Sequence, residues 1–493
     1  MKRHLLFLLP ILFFCISFSI KATPERPLVL VTCMYNNAKW VVQSFNSIFK
    51  QKYSNYRVIV VDDGSTDGTP DIIRNYLNEH HLNDKVTFIA NKVRRRKMAN
   101  LYKAYYLCHD YERIVLLDGD DYLAHDQVFS KINEVAEHSW FSYGQYINVP
   151  AQEARKWGFS PKGYAAPIPS HVKKNHSYRQ HRFLFMHIRS FDAWLFKQIH
   201  LEDFLSDKVT GYEGNWYPAS NDLAVFWPIV EMAHYHIAFI PEILYIRNLF
   251  SEIVGFKVDR KVQLAAAGEI KHKKPYPALE QPVYRNIEQY RSMKATVYLL
   301  CDSSIEKIAK QLKALYKYCS HIEHVYVLYQ PNKKRTAEFA ALKKDFPQAH
   351  LIPYSHGTNN LKHALLRTLH ECTTQHLLIW TINTAPVTQK VDLGDAIYWL
   401  ERTFAHAFYL GLMSSKNRSR WLINVDENVY AWKFKFATQE WSHYYSLDGT
   451  LYKKEQLQNM LVTLDNFDTL EEFVKKINKL PAPARTIGLT YSF

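Results

Sequence analysis

The sequence predicts an α/β protein with a doubly wound, mostly parallel sheet, followed by a second, smaller α/β domain of similar pattern. Three observations support this fold class. In the first half, short apolar runs typical of buried strands alternate with segments of helical periodicity. The same alternation begins again after Lys294. Acidic residues directly follow two of the strands, at Asp62 and Asp118, and so lie at the edge where open α/β sheets bind ligands.

Each strand at the start of the first half is followed by a helix, so neighbouring strands are expected to be parallel. Apolar runs predict strands at 28–32, 57–61, 86–90 and 114–117, and helical periodicity predicts helices at 38–50, 71–77 and 98–108. Further on, we predict an edge strand at 144–148, a long loop or lid at 150–174, helices at 189–199 and 221–233, and a strand with a proline break at 239–246.

The second half is predicted to be a degenerate copy of the first. Strands are expected at 295–300, 325–329 and 376–380 and helices at 305–318 and 470–477, with a strand spacing that resembles the first half. Thr381-Ile382-Asn383-Thr384 replaces the acidic stretch, so this copy has no acids to hold a metal. The predicted domains are a leader at 1–22, a first domain at 23–254, a linker at 255–293, a second domain at 294–480 and a strand-like tail at 481–493.

The N-terminus has the pattern of a signal peptide or an uncleaved membrane anchor. Lys2 and Arg3 precede an apolar stretch at 5–20, which is somewhat short for a spanning helix. In either case, the positive start places the rest of the chain on the non-cytoplasmic side. We therefore expect an exported protein, or one that associates with a membrane through its N-terminus.

Composition narrows the classes of partner. The formal net charge is +15, but the basic residues are spread along the chain without a nucleic-acid motif, so no nucleic-acid partner is expected. The tight run Arg94-Arg95-Arg96-Lys97 suits either a small phosphate ligand or a solvated surface. The six cysteines show no paired spacing, which predicts buried thiols and no zinc site.

The stretch that follows the fourth strand carries three carboxylates, at Asp118, Asp120 and Asp121. An isolated Asp-x-Asp pattern is more often a solvated acidic turn. Carboxylates packed this closely repel one another, and a hard divalent cation such as Mn²⁺ or Mg²⁺ relieves that repulsion. The stretch is therefore a candidate metal site.

Three blocks in this order resemble family 2 glycosyltransferases, which have the nucleotide-diphospho-sugar transferase fold. The blocks are VTCMYN at 31–36, IVVDDGSTDGT at 59–69 and LLDGDD at 116–121. The resemblance covers residues 28–245, about half of the chain. It implies a nucleotide-sugar donor, with UDP as the nucleotide, and Mn²⁺ or Mg²⁺ as cofactor.

The resemblance also implies roles for individual residues. Asp120 would bind the metal, Asp118 the donor ribose or the metal, and Asp121 would support them. The remaining donor-binding candidates are Asp63 for the uracil, Cys33 and Tyr35 beside the base, and Arg95 and Arg96 for the diphosphate. The sequence leaves open which residues of the basic run face inward. For Asp63, the structural alternative is a turn that caps the following helix.

An inverting transfer needs a base that accepts the proton of the acceptor hydroxyl. Asp222 is the candidate by resemblance, although Asn221 stands where the family usually has Glu. The alternative is that Asp222 only caps its helix, in which case Glu231 is the reserve base. His187, in a His-x-Arg-x-Phe stretch, could complete the metal shell or be structural. Four aromatic residues are candidates for sugar stacking or for the core: Trp194, Trp216, Tyr217 and Trp227.

Two functions from different classes remain open on the sequence alone. The first is a metal-dependent inverting glycosyltransferase whose acceptor is a glycan, a lipid or a protein. The second is a non-catalytic module that binds sugars or nucleotides. The acids Asp63, Asp118, Asp120 and Asp222 favour the enzyme. The predicted leader argues for caution about the enzyme. Nucleotide sugars are made in the cytosol, and an exported chain would lie outside it.

Overall fold

The computed structural model describes residues 24–251, 259–301, 304–331, 336–410, 422–483 and 485–491. The predicted leader at 1–22 lies outside these residues. Within the described part of the chain, no helix is both long enough and apolar enough to cross a membrane.

The first half folds around an eight-stranded sheet with the order β3-β2-β1-β4-β7-β6-β8-β5. Its strands are β1 (Leu28–Met34), β2 (Tyr56–Asp62), β3 (Val86–Ala90), β4 (Arg113–Asp118), β5 (Tyr122–Leu123), β6 (Phe141–Val149), β7 (Arg189–Asp192) and β8 (Ile237–Asn248). Strands β1 to β4 pair in parallel, as predicted. Strand β7 runs antiparallel to β4 and β6, and β6 pairs in parallel with β8.

Helices and short turns connect these strands. The helices are α1 (Val41–Phe49), α2 (Thr69–Glu79), α3 (Lys97–Tyr106), α4 (Val128–Ala136), α5 (Ala151–Lys156), α6 (Ser170–Lys174), α7 (Ala193–Phe196), α8 (Asn221–Ala233) and α9 (Arg260–Lys271). Short 3₁₀ helices lie at Tyr178–Gln180, Leu201–Phe204 and Ile287–Ser292. The predicted loop at 150–174 therefore contains two short helices.

The second half folds around a nine-stranded sheet with the order β12-β11-β9-β13-β18-β15-β19-β17-β16, and β10 pairs separately with β14. The strands are β9 (Ala295–Leu300), β10 (Cys319–Ser320), β11 (Ile322–Tyr329), β12 (Ala349–Pro353), β13 (His376–Thr381), β14 (Val391–Asp392), β15 (Ala407–Tyr409), β16 (Ile423–Asp426), β17 (Val429–Lys433), β18 (Thr450–Lys453) and β19 (Ile487–Tyr491). The helices are α10 (Ile305–Tyr318), α11 (Thr336–Asp345), α12 (Leu361–Glu371), α13 (Leu393–Thr403), α14 (Lys454–Thr463) and α15 (Leu470–Ile477). Further 3₁₀ turns lie at Gly357–Asn359, Phe434–Phe436 and Gln439–Ser442.

The two sheets share a topology over seven strands. The order β12-β11-β9-β13-β18-β15-β19 repeats β3-β2-β1-β4-β7-β6-β8. The directions agree as well: β18 is antiparallel to β13 and β15, as β7 is to β4 and β6, and β15 pairs in parallel with β19. This agreement supports the hypothesis that the second half is a copy of the first half-fold.

Two sequence predictions about the first half are wrong. The predicted helix at 189–199 is strand β7 followed by the single turn α7, because Ser190 and Phe191 pair with β4 inside the sheet. The predicted edge strand at 144–148 is the interior strand β6, which lies between β7 and β8. In both cases the partner strand comes from a distant part of the chain.

The predicted linker and tail are also structured. Within the linker at 255–293, helix α9 buries Ala266 and Ile270 and contacts α8, so it belongs to the first domain. Gly255 itself lies outside the described residues. In the tail at 481–493, strand β19 buries Ile487 and Leu489 between β15 and β17. The tail is therefore an interior strand of the second sheet.

The two halves pack against each other through α3 and α13. The Tyr106 hydroxyl donates a 2.8 Å hydrogen bond to the carbonyl of Arg402. The Arg402 guanidinium lies 4.0 Å from the ring centre of Tyr106 and 4.4 Å from that of Trp399. Because α3 begins beside the acidic strand ends, this interface supports the helix that borders the candidate site.

Candidate active site

A cleft of about 380 Å³ lies at the carboxyl edge of the first sheet. It is lined by nearly all of the predicted site residues: Cys33, Tyr35, Asp63, Arg96, Asp118, Asp120, His187 and Asp222. Strands β1, β2 and β4 end here side by side, so residues far apart in the sequence meet at one edge. This is the place at which an open α/β sheet binds its ligand.

Asp118 ends β4 and forms an ion pair with Lys97, the first residue of α3. The distance from Lys97 Nζ to Asp118 Oδ1 is 2.6 Å. Burial alone would raise the pKa of Asp118, but the positive charges of Lys97 and Arg189 help to lower it. Burial alone would lower the pKa of Lys97, but the pair with Asp118 raises it. Both groups are therefore charged at neutral pH.

Asp121 is buried beside the cleft, in the turn that follows β4. Tyr245 donates a 2.5 Å hydrogen bond to Asp121 Oδ2, and the backbone N–H of Asn248 donates a 2.7 Å bond to Oδ1. Burial, together with the neighbouring carboxylates of Asp120 and Asp118, raises the pKa of Asp121 well above its usual value. These bonds tie the acidic turn to the end of β8.

Asp120 and His187 face the same cleft. Burial, together with the charge of Asp118, raises the pKa of Asp120. The His187 ring stacks on Tyr245 with ring centres 4.4 Å apart. Burial and the nearby Arg189 guanidinium lower the pKa of His187 well below its usual value. The imidazole is therefore neutral and has a lone pair that can bind a cation.

These side chains are not gathered into a ready-made metal site. Among the residues that the structure describes, no three His, Cys, Asp or Glu side chains form a group that could hold a metal ion. The chemistry of the residues nevertheless fits a hard cation. Asp118 raises the pKa of Asp120, and both raise the pKa of Asp121, so a positive charge would relieve this repulsion. Magnesium is usually held by one or two carboxylates together with substrate phosphates, so a three-residue cage is not required.

The basic run forms a loop that is held by Asp63. The Asp63 carboxylate accepts hydrogen bonds from the backbone N–H groups of Arg95 at 2.7 Å and Arg96 at 2.9 Å. Arg96 has a φ of +72°, a conformation that is rare for residues other than glycine. Asp63 therefore stabilises a strained loop in addition to lining the cleft.

The side chains of the run point in different directions. The Arg94 guanidinium lies 3.7 Å from the ring centre of Tyr35, and both line the cleft. Arg96 lines the cleft and approaches the ring of Tyr212. The side chain of Arg95 instead donates to Asn424, on β16 of the second domain. The structure thus places Arg94, Arg96 and Lys97 in the cleft and directs the Arg95 side chain away from it.

Asp222 lies in the first turn of α8, where its side chain is 42% exposed at the cleft. Its Oδ2 lies 3.5 Å from Nη2 of Arg189, and the buried Arg189 also donates to the carbonyl of Phe185. The reserve candidate Glu231 does not line the cleft. It is fully buried and accepts two hydrogen bonds from Arg179, at 2.5 and 2.9 Å.

The remaining candidates from the sequence are an uncharged thiol in the cleft wall and aromatic side chains in the core. Burial raises the pKa of the Cys33 thiol to about 12, so this cleft residue is an uncharged wall. The four aromatic candidates for sugar stacking are buried in the core and do not line the cleft: Trp194, Trp216, Tyr217 and Trp227. The lining also includes Arg189, Arg247 and Asn248, for which the sequence predicted no role. Their positions in the sequence could have indicated that two of them line the cleft. Arg189 follows His187 by two residues, and Arg247 lies near the end of a strand.

The domain that forms this cleft matches a known family. The model named Glycosyl transferase family 2 matches residues 29–204. These residues form a family 2 glycosyltransferase domain. The predicted resemblance is thereby confirmed for this part of the chain. The family 2 match includes Asp63, Asp118, Asp120 and His187, whereas Asp222 and the second half lie beyond it.

Known proteins resemble parts of the chain. Putative glycosyltransferase EpsE of Bacillus subtilis is 38% identical over 91 residues, which are 18% of this chain and 31% of EpsE. Glycosyltransferase GlyG of Streptococcus pneumoniae is 24% identical over 172 residues, 29% of this chain and 56% of GlyG. The chain thus covers less than two thirds of either relative. The solved structure of S. aureus TarS 1-349 is 17% identical with a TM-score of 0.33, covering 45% of this chain and 60% of that one.

Proposed function

We propose that the chain is a metal-dependent, inverting glycosyltransferase that moves a sugar from a nucleotide-diphosphate donor to an acceptor hydroxyl. The donor is a UDP-sugar, and the acceptor is a glycan, a lipid or a protein. The observation that carries this proposal is the cleft at the carboxyl edge of the first sheet, where the acids that end or follow strands β2 and β4 face Arg94, Arg96 and Lys97. We further propose that residues 1–22 export the protein or anchor it to a membrane.

Donor binding would use both charge and shape. The stacked pair of Tyr35 and Arg94 offers a flat surface beside Asp63 for the base. The planar guanidinium of Arg96 and the ammonium of Lys97 suit the diphosphate, since fixed cations at a cleft wall attract phosphate oxygens. Asp118 would bind the ribose or share the cation.

Asp118, Asp120 and His187 would hold Mn²⁺ or Mg²⁺ together with the diphosphate of the donor. When bound, the cation supplies Lewis-acid stabilisation of the charge that develops on the leaving diphosphate. Lys97 adds a second positive charge on the same side of the cleft, and its pairing with Asp118 keeps it oriented in the absence of donor.

Transfer itself would use Asp222 as general base. The acceptor oxygen attacks the anomeric carbon as the bond to the diphosphate breaks, and its proton passes to the Asp222 carboxylate. Attack from the face opposite the leaving group inverts the anomeric configuration. Arg189 holds the carboxylate in place from within the core.

Calorimetric titration of the protein with UDP, GDP and TDP, each with and without Mn²⁺, tests the donor class first. We expect one nucleotide, UDP, to bind, and to bind more tightly with Mn²⁺. Incubation with the matching nucleotide sugar should then release the nucleoside diphosphate, and proton NMR of the product should show an inverted anomeric centre. Failure of all three nucleotides to bind would favour the non-catalytic sugar-binding module instead.

A further inference from the structure

A second and larger cleft, of about 990 Å³, lies at the carboxyl edge of the second sheet. Cys301 and Thr381, which follow or end strands β9 and β13, form part of its floor, and the loop before β18 forms one wall. Because the strand order repeats that of the first sheet, this cleft occupies the position that corresponds to the candidate active site. It is separate from the family 2 domain.

The chemistry of the second cleft differs sharply from that of the first. Its polar lining consists mainly of neutral hydroxyl and amide groups, including Gln330, Asn383 and Asn478. Among the lining residues that the structure describes, Lys475 alone carries an ammonium or guanidinium group, alongside the carboxylates of Asp448 and Glu471. The first cleft, by contrast, has Arg and Lys side chains on several walls. The described lining therefore presents net negative charge to a diphosphate, whereas it offers a neutral, hydroxyl-rich ligand many hydrogen-bond partners.

The Asp448 carboxylate is held in a position from which it can accept a hydrogen bond from such a ligand. Its Oδ1 accepts hydrogen bonds from the hydroxyls of Thr381 at 2.5 Å and Thr384 at 2.6 Å, which fix the carboxylate at the mouth of the cleft. Its Oδ2 accepts no hydrogen bond from any residue that the structure describes, so a ligand hydroxyl can donate to it. A carboxylate–hydroxyl bond is a charge-assisted hydrogen bond and is stronger than a neutral one.

Another part of the cleft lining, from α15, is partly apolar. Leu470 and Val474 of α15 line it, and Val474 is 38% exposed. A sugar ring presents hydroxyls at its rim and C–H groups on its face, so it can bond to Asp448 while its face covers this wall. Mostly apolar lining with a few fixed polar groups is the usual character of ligand sites.

We propose that this second-domain cleft binds an uncharged saccharide. Taking that saccharide to be a remote part of the acceptor glycan rests on the proposed function, whereas binding to the cleft does not. The second domain would thus select the acceptor while the family 2 domain holds the donor.

The experiment is a binding assay of the full chain on a printed array of defined neutral oligosaccharides, with phosphorylated oligosaccharides and UDP–agarose as further probes. We expect binding to a subset of the neutral oligosaccharides. Asp448→Ala and Thr384→Val should each weaken it at least tenfold and leave UDP retention unchanged. Lys479→Ala, an exposed change beside the cleft, is the matched control and should bind like the parent. Thermal unfolding verifies that each variant is folded.

The outcomes separate the two proposals. Saccharide binding that is lost in Asp448→Ala but kept in Asp120→Asn supports the second cleft, even if no transfer is ever detected. If neutral oligosaccharides fail to bind, or bind equally well to the folded Asp448→Ala variant, the proposal is overturned while UDP binding continues to support the transferase. Preference for the phosphorylated set would also overturn it, because the cleft would then be an anion site.

Discussion

The Nζ of Lys97 lies 2.6 Å from Oδ1 of Asp118 and joins the first residue of α3 to the last residue of β4. The basic run and the acidic stretch are thus two walls of one cleft, although 21 positions separate these two residues in the sequence. In the absence of donor, each charge neutralises the other. Under the proposed function, donor binding would exchange this pair for contacts with the diphosphate and the cation, so the pair would prepare the site without blocking it.

Replacing Lys97 by methionine tests this relationship. The Lys97→Met side chain keeps the length but removes the charge, which leaves Asp118 without its partner and the diphosphate without one cation. We expect UDP affinity in the presence of Mn²⁺ to fall at least tenfold, about 1.4 kcal/mol, in calorimetry. Lys92→Met, an exposed change in the same loop, is the matched control and should bind UDP like the parent. Unchanged affinity in Lys97→Met would remove the residue from donor binding.

The role of Asp120 is tested by Asp120→Asn. Because burial and the charge of Asp118 already disfavour the ionised form of Asp120, the neutral amide should be tolerated by the fold. We expect the variant to lose the Mn²⁺-dependent part of UDP binding while its thermal unfolding stays close to that of the parent. Binding of UDP and Mn²⁺ as tight as in the parent would show that the cation is held elsewhere.

For Asp222, the expected effect is on rate and not on donor binding. Asp222→Asn keeps the size of the side chain and its place beside Arg189 but cannot accept a proton. We expect UDP affinity to be unchanged and kcat for transfer to fall by about 10² to 10⁴, the usual contribution of a general base. Turnover at the parental rate would exclude Asp222 from the mechanism.

For Glu231, the expected effect of substitution is on stability and not on the catalytic step. Its carboxylate forms a buried, doubly hydrogen-bonded pair with Arg179 and also accepts from the backbone N–H of Tyr276. Glu231→Gln leaves the buried guanidinium without its counter-charge, which should lower the free energy of unfolding by about 3–5 kcal/mol. Urea denaturation measures this loss. A variant that is as stable as the parent but inactive would restore Glu231 as a catalytic candidate.

The cleft could be predicted from the sequence because its residues follow apolar strands. Strands that are buried on both faces, such as Ile114 to Leu117, appear in the sequence as unbroken apolar runs. The acid that follows such a run is therefore predicted to lie at the carboxyl edge of the sheet. The direction of Arg95 could not be predicted, since its partner Asn424 lies 329 positions away. The tail was predicted to be strand-like, but the place of β19 inside the second sheet could not be predicted. Its neighbours β15 and β17 come from separate segments, and pairing across such distances leaves little local signal.

The contact between the domains should respond to pH through His200. Burial and the adjacent guanidinium of Arg485 lower the pKa of His200 to about 4, while Asp203 opposes this only in part. Between pH 6.5 and 4 the unfolded chain therefore binds a proton that the folded protein does not, and stability falls as the pH is lowered through this range.

From pH 7 to pH 5, His200 should cost the parent about 2 kcal/mol of unfolding free energy. The His200→Gln variant lacks this contribution, so its stability should fall by about 2 kcal/mol less over the same interval. Urea denaturation at both pH values gives the difference, and His138→Gln, at an 83% exposed side chain, serves as the control. Other buried histidines such as His406, whose pKa burial lowers to about 4, contribute equally to both proteins and cancel. An identical pH dependence in the parent and His200→Gln would show that His200 is already protonated or exposed in the folded protein.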